Sequence, residues 1–424
     1  MKRNIGITVF CLIVLITPMC LGLDWPQFRG PARDGKTAET GLMKKWPDGG
    51  PELLWSVEGL GIGFSSVAVA DGYVYTTGMV GKDKQGIIFA FDLDGRLKWV
   101  APCGPEWSGP HEGARTTPTV DKNSVYVFSG NGNLVCLDSK SGQQKWAVDT
   151  LKKFDGKNLK WGLSESVLVF ENKVICTPGG SNAALVALDK VTGETVWTTR
   201  GLSERAAYCS PVIYEIAGRP LITTNVEKSI VLIDPDNGNV VCRIPHEKRH
   251  DLAAVSPVYE NGCLYVTTGY AREDFPPRGM MFRLAPDASG YTLGWTDRNL
   301  DCHHGGVILL DGDIHGSNSV IYGPASKEKD KGAWFCLDLA GGQIKYQGKL
   351  VGKGSVVCAE GLLYCYGENA TVGLVKPTPA GYEMLGSLLI TRGTAEHWAH
   401  PAISDGRLYI RHGNALMAYD IKQK

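Results

Sequence analysis

The sequence has no net charge and few of the short motifs that mark common enzyme classes. Its 44 basic side chains balance 44 acidic ones, so the composition does not call for nucleic acid or an anionic membrane as a partner. It contains no C-x-x-C zinc spacing, no C-x-x-C-H haem site and no G-x-G-x-x-G segment after a strand pattern. The fold and function must therefore be argued from longer patterns.

The first 22 residues have the pattern of a secretory signal. Lys2 and Arg3 precede an apolar run of 12 residues, Ile5 to Ile16, which is short for a membrane span, and small residues follow at 20–22. We predict a cleaved signal peptide over 1–22 and no transmembrane segment after cleavage. A retained anchor and a lipid on Cys20 are the alternatives. The chain is therefore expected in the periplasm or on the surface of a bacterium.

A repeat organises the chain after residue 50. Two copies read Leu-Asp-x-x-x-Gly-x-x-x-Trp, from Leu137 to Trp146 and from Leu188 to Trp197. Positions equivalent to the tryptophan recur at intervals of 39 to 53 residues; they are Trp55, Trp99, Trp146, Trp197, Cys242, Trp295, Tyr346 and about Leu385. This period is typical of four-stranded propeller blades, and no stretch keeps a helical period. The tryptophans are expected to fill the gaps between neighbouring blades.

These patterns predict an all-β, eight-bladed β-propeller of four-stranded blades. We place an N-terminal arm at 23–50 and the propeller at 51–424. The last copy ends at Lys424 without a Trp strand, whereas Glu52 to Ser56 stands alone before the first copy. We therefore predict that this N-terminal strand completes the C-terminal blade and closes the ring, which removes exposed sheet edges.

Ten cysteines remain when Cys11 and Cys20 of the predicted signal are set aside. An even number in an exported chain permits disulfides. Cys136 and Cys336, however, stand where a small apolar residue belongs in a strand, which is typical of buried core thiols. The sequence leaves both interpretations open.

The Leu-Asp-x-x-x-Gly-x-x-x-Trp signature resembles the pyrroloquinoline-quinone repeat. That repeat builds the quinoprotein dehydrogenases and a non-enzymatic outer-membrane assembly lipoprotein, and the opening Asp24 to Pro31 is similar to the start of exported quinoprotein-like propellers. Kinship with the dehydrogenases would imply a quinone held with Ca²⁺, an Asp base, a pair of adjacent cysteines and often a haem domain. This sequence has no adjacent cysteines. The resemblance thus indicates architecture more than activity.

Polar side chains concentrate just before each predicted inner strand. Six of nine histidines lie there: His111, His250, His303, His304, His397 and His400. Because equivalent positions in a ring face a common axis, we predict a site at the mouth of the central channel. Its predicted ligand-binding residues are Glu112, Arg115, Trp161, Glu165, His303, His304, Lys353, His397, Trp398 and His400. A polar network that plugs the channel is the alternative.

No catalytic residue and no metal site is assigned. His303 and His304 are sequence neighbours and would not face inward together along a strand. The H-e-x-x-H match at 246–250 lacks the helix which zinc-protease chemistry needs. We expect a monomeric, exported binding or scaffold propeller for a protein or polysaccharide-like ligand. A reduced oxidoreductase that uses pyrroloquinoline quinone and Ca²⁺ on an alcohol or sugar is the alternative.

Overall fold

The computed structural model describes residues 23–181, 183–246, 253–269, 277–310, 320–324, 332–378 and 380–424, with backbone alone at 320–324. The predicted signal sequence at 1–22 lies outside these residues. So do residues 247–252, which include His250 and most of the H-e-x-x-H match.

The first four blades are antiparallel sheets of four consecutive strands. Blade 1 contains β3 (Ala68–Ala70), β4 (Tyr73–Val80), β5 (Gln85–Asp92) and β6 (Leu97–Pro105). Blade 2 contains β7 (Thr119–Asp121), β8 (Ser124–Phe128), β9 (Asn133–Asp138) and β10 (Gln144–Asp149), followed by α1 (Thr150–Lys153). Blade 3 contains β11 (Leu168–Phe170), β12 (Lys173–Cys176), β13 (Val186–Asp189) and β14 (Thr195–Thr198). Blade 4 contains β15 (Val212–Ile216), β16 (Arg219–Asn225), β17 (Ser229–Ile233) and β18 (Val240–Pro245).

Three more blades and one shared sheet complete the ring. Blade 5 contains β19 (Val258–Glu260), β20 (Cys263–Val266), β21 (Gly279–Leu284) and β22 (Tyr291–Asp297). Blade 6 contains β23 (Ile308–Leu310), β24 (Val320–Pro324), β25 (Ala333–Asp338) and β26 (Ile344–Lys349). Blade 7 contains β27 (Gly354–Ala359), β28 (Leu362–Gly367), β29 (Thr371–Thr378), β30 (Gly381–Leu389) and, beside β27, β1 (Lys36–Thr37). The closing sheet contains β31 (Ala402–Ser404), β32 (Arg407–His412), β33 (Ala415–Asp420) and β2 (Glu52–Val57).

The prediction of an eight-bladed propeller of four-stranded blades is wrong. The described chain forms seven blades from continuous stretches, and the remaining sheet is shared between the two ends, with β2 antiparallel to β33. One of the seven has five strands, because Lys36 and Thr37 pair in parallel with Cys358 and Ala359. The repeat count from the Trp positions did not include this added strand, since it comes from the arm.

The signature tryptophans lock each sheet to the next. The indole N–H of Trp146 donates to the carbonyl of Lys190 in blade 3 at 3.2 Å, and that of Trp197 donates to Pro235 in blade 4 at 2.9 Å. The Trp146 ring lies over the turn glycine Gly193, where an added Cβ would come within 2.8 Å of the ring. Equivalent bonds and turns involve Trp55, Trp99 and Trp295.

The ten cysteines of the described residues are all buried, eight of them on strands and two, Cys209 and Cys302, in loops before inner strands. Cys136 lies on β9 and Cys336 on β25, both inside apolar clusters between neighbouring sheets. Burial raises the pKa of the Cys302 and Cys358 thiols to about 12. These side chains therefore occupy core positions as neutral thiols.

Residues 25–37 of the arm pack into the central channel, which is the space enclosed by the first strand of each sheet. The rest of the arm runs outward, and the N–H of Trp46 donates to the carbonyl of Leu385 on β30, the outer strand of blade 7. Trp25 exchanges two backbone hydrogen bonds of 2.8 Å with Val69 on β3, and the carbonyl of Pro26 accepts from Val120 on β7 at 2.8 Å. These contacts satisfy backbone groups on inner strands that have no further strand beside them. The arm thus acts as an irregular extra layer on the inner edge.

Two buried arginines fix the arm across the channel. Arg29 donates to the carbonyl of Val307 in blade 6 at 2.6 Å and to that of Val356 in blade 7 at 3.3 Å. Arg33 donates to the carbonyl of Val167 in blade 3 at 2.8 Å. Arginine suits this role because its planar guanidinium carries five donors and keeps its charge when buried.

Residues 30–37 match the P-loop pattern G-x-x-x-x-G-K-T. That motif holds phosphate when a strand precedes it and a helix follows it. Here the segment lies in the channel and leads into β1, while the Lys36 Nζ is 3.2 Å from the Asp34 carboxylate. The match to the P-loop pattern is therefore coincidental, because within the described chain these arm residues have neither the strand before them nor the helix after them that a P-loop needs.

Candidate functional site

A cavity of about 360 Å³ lies at the mouth of the central channel. Loops that precede the inner strands supply its walls, and Phe28 of the arm also lines it. Seven of the ten predicted site residues line this cavity: Arg115, Trp161, His303, His304, Lys353, Trp398 and His400. His303 and His304 both line it because they lie in a bend before β23 and not in a strand.

The other three predicted residues lie elsewhere. Glu112 forms an ion pair of 2.8 Å with Lys84, beside a neighbouring groove. His397 stacks on His412 with ring centroids 3.6 Å apart, and burial lowers its pKa to about 4. Glu165 is buried next to the inner strands of blade 3 and does not line the cavity.

Two cationic side chains line the cavity on separate blades. Arg115 precedes β7 and donates to the carbonyls of Trp161, His111 and Gly113, which leaves N–H groups of its five for a guest. Lys353 precedes β27 and forms an ion pair of 2.7 Å with Glu368. The carboxyl groups beside these cations are Glu368 at Lys353 and Glu106 near Arg115, and not the predicted site residue Glu165.

Glu106 and Glu165 are buried near the cavity but do not line it. Burial raises the pKa of Glu106 to about 7, with hydrogen bonds from the Gly130 and Trp107 amides and the charge of Arg115 opposing the rise. Burial likewise raises the pKa of Glu165 to about 8, against the opposing charge of Arg33. Neutral Glu165 is therefore favoured over its carboxylate at neutral pH.

Of the four histidines that line the cavity, His303, His304 and His400 have lowered pKa values and are neutral at pH 7. Burial, aided by the nearby Lys353, lowers the pKa of His303 to about 3, and burial beside Arg29 lowers that of His400 to about 3. The His400 Nε2 bonds to the carbonyl of His304 at 2.8 Å, so this nitrogen carries the proton. Its Nδ1 is then an acceptor, and it has no hydrogen-bond partner in the described part of the chain.

Aromatic rings form the rest of the wall. Trp398 packs against Phe64 with centroids 4.9 Å apart, and Trp161 packs against Tyr208 at 5.9 Å. Phe28 meets the His400 ring edge-on at 4.9 Å. Such walls present flat apolar faces to a guest.

The predicted site did not include the serine and threonine hydroxyl groups of the cavity, which are Ser66, Thr117, Ser164, Ser166 and Ser210. It also missed Phe28, because the arm has no repeat pattern. The hydroxyls were visible in principle, since a Ser or Thr recurs two residues before the inner strand in most copies of the repeat.

The described residues contain neither a metal-binding cluster nor a membrane-spanning helix. No three His, Cys, Asp or Glu side chains of these residues are placed to share a metal ion. Within the same residues no helix is both long and apolar enough to cross a bilayer.

The fold and the repeat define a β-propeller of the pyrroloquinoline-quinone repeat type, as the resemblance predicted. The family profile of the outer membrane protein assembly factor BamB matches residues 48–151 and 84–347. The chain belongs to this family, and the resemblance seen in the sequence is confirmed.

Relatives with curated functions match parts of the chain. BamB of Kangiella koreensis is 27% identical over 211 residues, which is 49% of this chain and 48% of that protein. The quinohemoprotein alcohol dehydrogenase ADH-IIG of Pseudomonas putida is 31% identical over 140 residues, 30% of this chain and 18% of that enzyme. The matches thus span about half or less of each relative, and the relatives include both an assembly factor and an oxidoreductase.

Solved structures agree on the fold over most of the chain. BamB from Moraxella catarrhalis superposes with a TM-score of 0.59 at 14% identity, covering 88% of this chain and 98% of that one. A europium-containing methanol dehydrogenase gives a TM-score of 0.63 at 11% identity, covering 93% and 90%. At these identities the likeness concerns the fold alone.

Proposed function

We propose that this chain is a non-catalytic binding propeller that holds a small anionic ligand in the channel-mouth cavity. The observation that carries the proposal is the lining: Arg115 and Lys353 enter the cavity, whereas none of its described lining residues is Asp or Glu. In a partly dehydrated site this arrangement favours an anion over a neutral or cationic guest. Trp161 and Trp398 would hold a flat ring or a sugar face.

Lys353→Met tests this proposal, with benzoate and the uncharged benzamide as probes. Removing a charge-assisted hydrogen bond is worth about 1.5–3 kcal/mol, so we expect benzoate affinity to fall roughly tenfold or more. Isothermal titration of the full mature chain gives the dissociation constants. Benzamide should bind more weakly than benzoate and should be insensitive to the substitution.

Lys190→Met is the matched control. Lys190 forms an ion pair of 2.7 Å with Asp121, like that of Lys353 with Glu368, and it does not line the cavity. It should lose comparable stability without any change in benzoate binding. Equal affinity for benzoate and benzamide in the unmodified chain, or equal loss in both lysine variants, would overturn the proposal.

An oxidoreductase that uses pyrroloquinoline quinone is the second candidate, because the relatives include quinoprotein alcohol dehydrogenases. The carboxylates of that flat quinone would suit Arg115 and Lys353. The fit fails at the metal, since the described lining offers no carboxylate to hold Ca²⁺ or to act as a base. Alcohol oxidation by the chain supplied with quinone and Ca²⁺ would replace the binding proposal.

We also propose that the chain is exported, on the pattern of residues 1–22, and that it works beside a protein or polysaccharide partner at the bacterial surface. Membership of a family described by an outer membrane assembly factor supports this placement. The mass of the chain purified from its host tests it. A mature N-terminus near residue 23 is expected, and an intact Met1 in a cytoplasmic fraction would contradict it.

A further inference from the structure

A ladder of hydroxyl groups links the blades along one wall of the cavity. The backbone N–H of Ser66 donates to the Thr117 hydroxyl at 3.2 Å, and that of Thr117 donates to the Ser166 hydroxyl at 2.9 Å. The N–H of Ser166 in turn donates to the Ser210 hydroxyl at 2.9 Å. We call Thr117, Ser166 and Ser210 the hydroxyl ladder. They come from three consecutive blades, and each lies two residues before the inner strand of its blade.

The ladder hydroxyls accept hydrogen bonds but have no acceptor for their own hydrogens within the described residues. A hydroxyl carries one donor besides its two acceptor lone pairs. We call the Ser and Thr residues that lie two positions before the inner strands of blades 1 to 5 the belt. Its other two members do donate their hydroxyl hydrogens: Ser66 donates to the carbonyl of His400 and Ser256 to that of Ser210, both at 2.6 Å. The ladder side chains are at least nine-tenths buried and line the cavity. Three O–H donors therefore remain available to a guest.

The donors that surround the guest are more numerous than a carboxylate needs. The hydroxyl ladder supplies three O–H groups, and Arg115 and Lys353 add charged N–H donors on the same cavity. A carboxylate offers two oxygens in one plane, whereas a phosphate or sulfate ester offers three terminal oxygens arranged tetrahedrally. A sugar hydroxyl would need acceptors as well as donors. The set matches a tetrahedral oxyanion.

We propose that the hydroxyl ladder binds the tetrahedral oxyanion head group of the ligand, a phosphate or sulfate monoester whose ring body lies against Trp161 and Trp398. This inference rests on the proposed function, because it assumes that the cavity binds an anion. It adds the chemical class of the head group and the residues that select it. Backbone donation from one blade to the next holds each ladder oxygen in place, so the three oxygens are positioned before the guest arrives.

Titration with phenyl phosphate, phenyl sulfate and benzoate tests the inference, since the three probes share one ring and differ in the head group. We expect at least one of the two tetrahedral esters to bind about tenfold or more tightly than benzoate in the unmodified chain. Ser166→Ala should remove that preference, whereas Ser166→Thr should restore it. Whichever of the two esters binds more tightly identifies the head group, and equal affinities assign the site to both.

Ser256→Ala is the matched control, because Ser256 belongs to the same belt and does not line the cavity. Each alanine removes one hydrogen bond between blades, so both should lower the melting temperature to a similar degree. Only Ser166→Ala should weaken binding of the preferred ester. Equal changes in affinity in both variants would reduce the ladder to a structural role and overturn the inference.

The two proposals fail in different ways. If neither ester binds better than benzoate while all three still depend on Lys353, the head-group inference is wrong and the binding function stands. If none of the probes binds, both are wrong.

Discussion

Gly306 is the position where a single methyl group should dislodge the arm. Its φ is +74°, and a Cβ added there would lie 1.9 Å from the Arg29 Nη1. An arginine tip could ordinarily swing away, but this one is 5% exposed and bonded to the carbonyls of Val307, Val356 and Asp34. Gly306→Ala therefore displaces the buried guanidinium of Arg29 from the carbonyls that it contacts.

The magnitude follows from those contacts. A left-handed backbone costs a residue with a Cβ about 1–2 kcal/mol. Losing at least two of the three hydrogen bonds that Arg29 donates adds about 3–6 kcal/mol. We expect Gly306→Ala to lower the free energy of unfolding by several kcal/mol, measured by urea denaturation followed through tryptophan fluorescence.

Gly262→Ala separates backbone strain from the clash. Gly262 has a φ of +80° and no atom within 4 Å of an added Cβ, so its variant should show the backbone cost alone. Removing the cation as well, in Gly306→Ala with Arg29→Ala, should cost less than the sum of the two single changes, because one contact is lost only once. If Gly306→Ala destabilises the chain no more than Gly262→Ala, the arm is not held as described.

Two further outcomes are expected. Trp146→Phe keeps an aromatic ring over Gly193 but removes the N–H bond to the carbonyl of Lys190, so the free energy of unfolding should fall by about 1–2 kcal/mol; an unchanged urea midpoint would contradict the locking role. Burial raises the pKa of Glu165 from 4.5 to about 8, so the folded chain holds this proton more tightly than the unfolded chain does. The contribution of Glu165 to stability should therefore fall as pH rises from about 5 to 8. Glu165→Gln should remove that contribution, and denaturation at several pH values that shows the same slope in both chains would refute this.

The repeat made much of the fold predictable from sequence. The signature from Leu137 to Trp146 is local, because strand, turn glycine and tryptophan follow one another within ten residues. Its physical cause recurs from blade to blade, since each turn glycine supports the tryptophan of the preceding blade. The loops before the inner strands were predictable for the same reason, and they bring Arg115 and Lys353 to one cavity.

The arm and the charge partners were not predictable in this way. Arg29 bonds to Val356, which is 327 residues away, and no period in the sequence links the two. Glu106 and Glu368, the carboxyl groups near Arg115 and Lys353, were not predicted either, because they lie outside the segments before the inner strands. Contacts that depend on ring closure carry no local sequence signal. The structure alone therefore shows the arm in the channel, the fifth strand of blade 7 and the carboxyl groups beside the cations.

The pairing of β2 with β33 makes the earliest part of the chain wait for the latest. Residues 52–57 have their strand partner at 415–420, and the arm before them needs carbonyls from blades 3, 6 and 7. During synthesis the N-terminal segment therefore has no place to dock until nearly the whole polypeptide has emerged. A chain built this way stays open for as long as its last strand is withheld, which would suit a polypeptide that crosses a membrane before it folds.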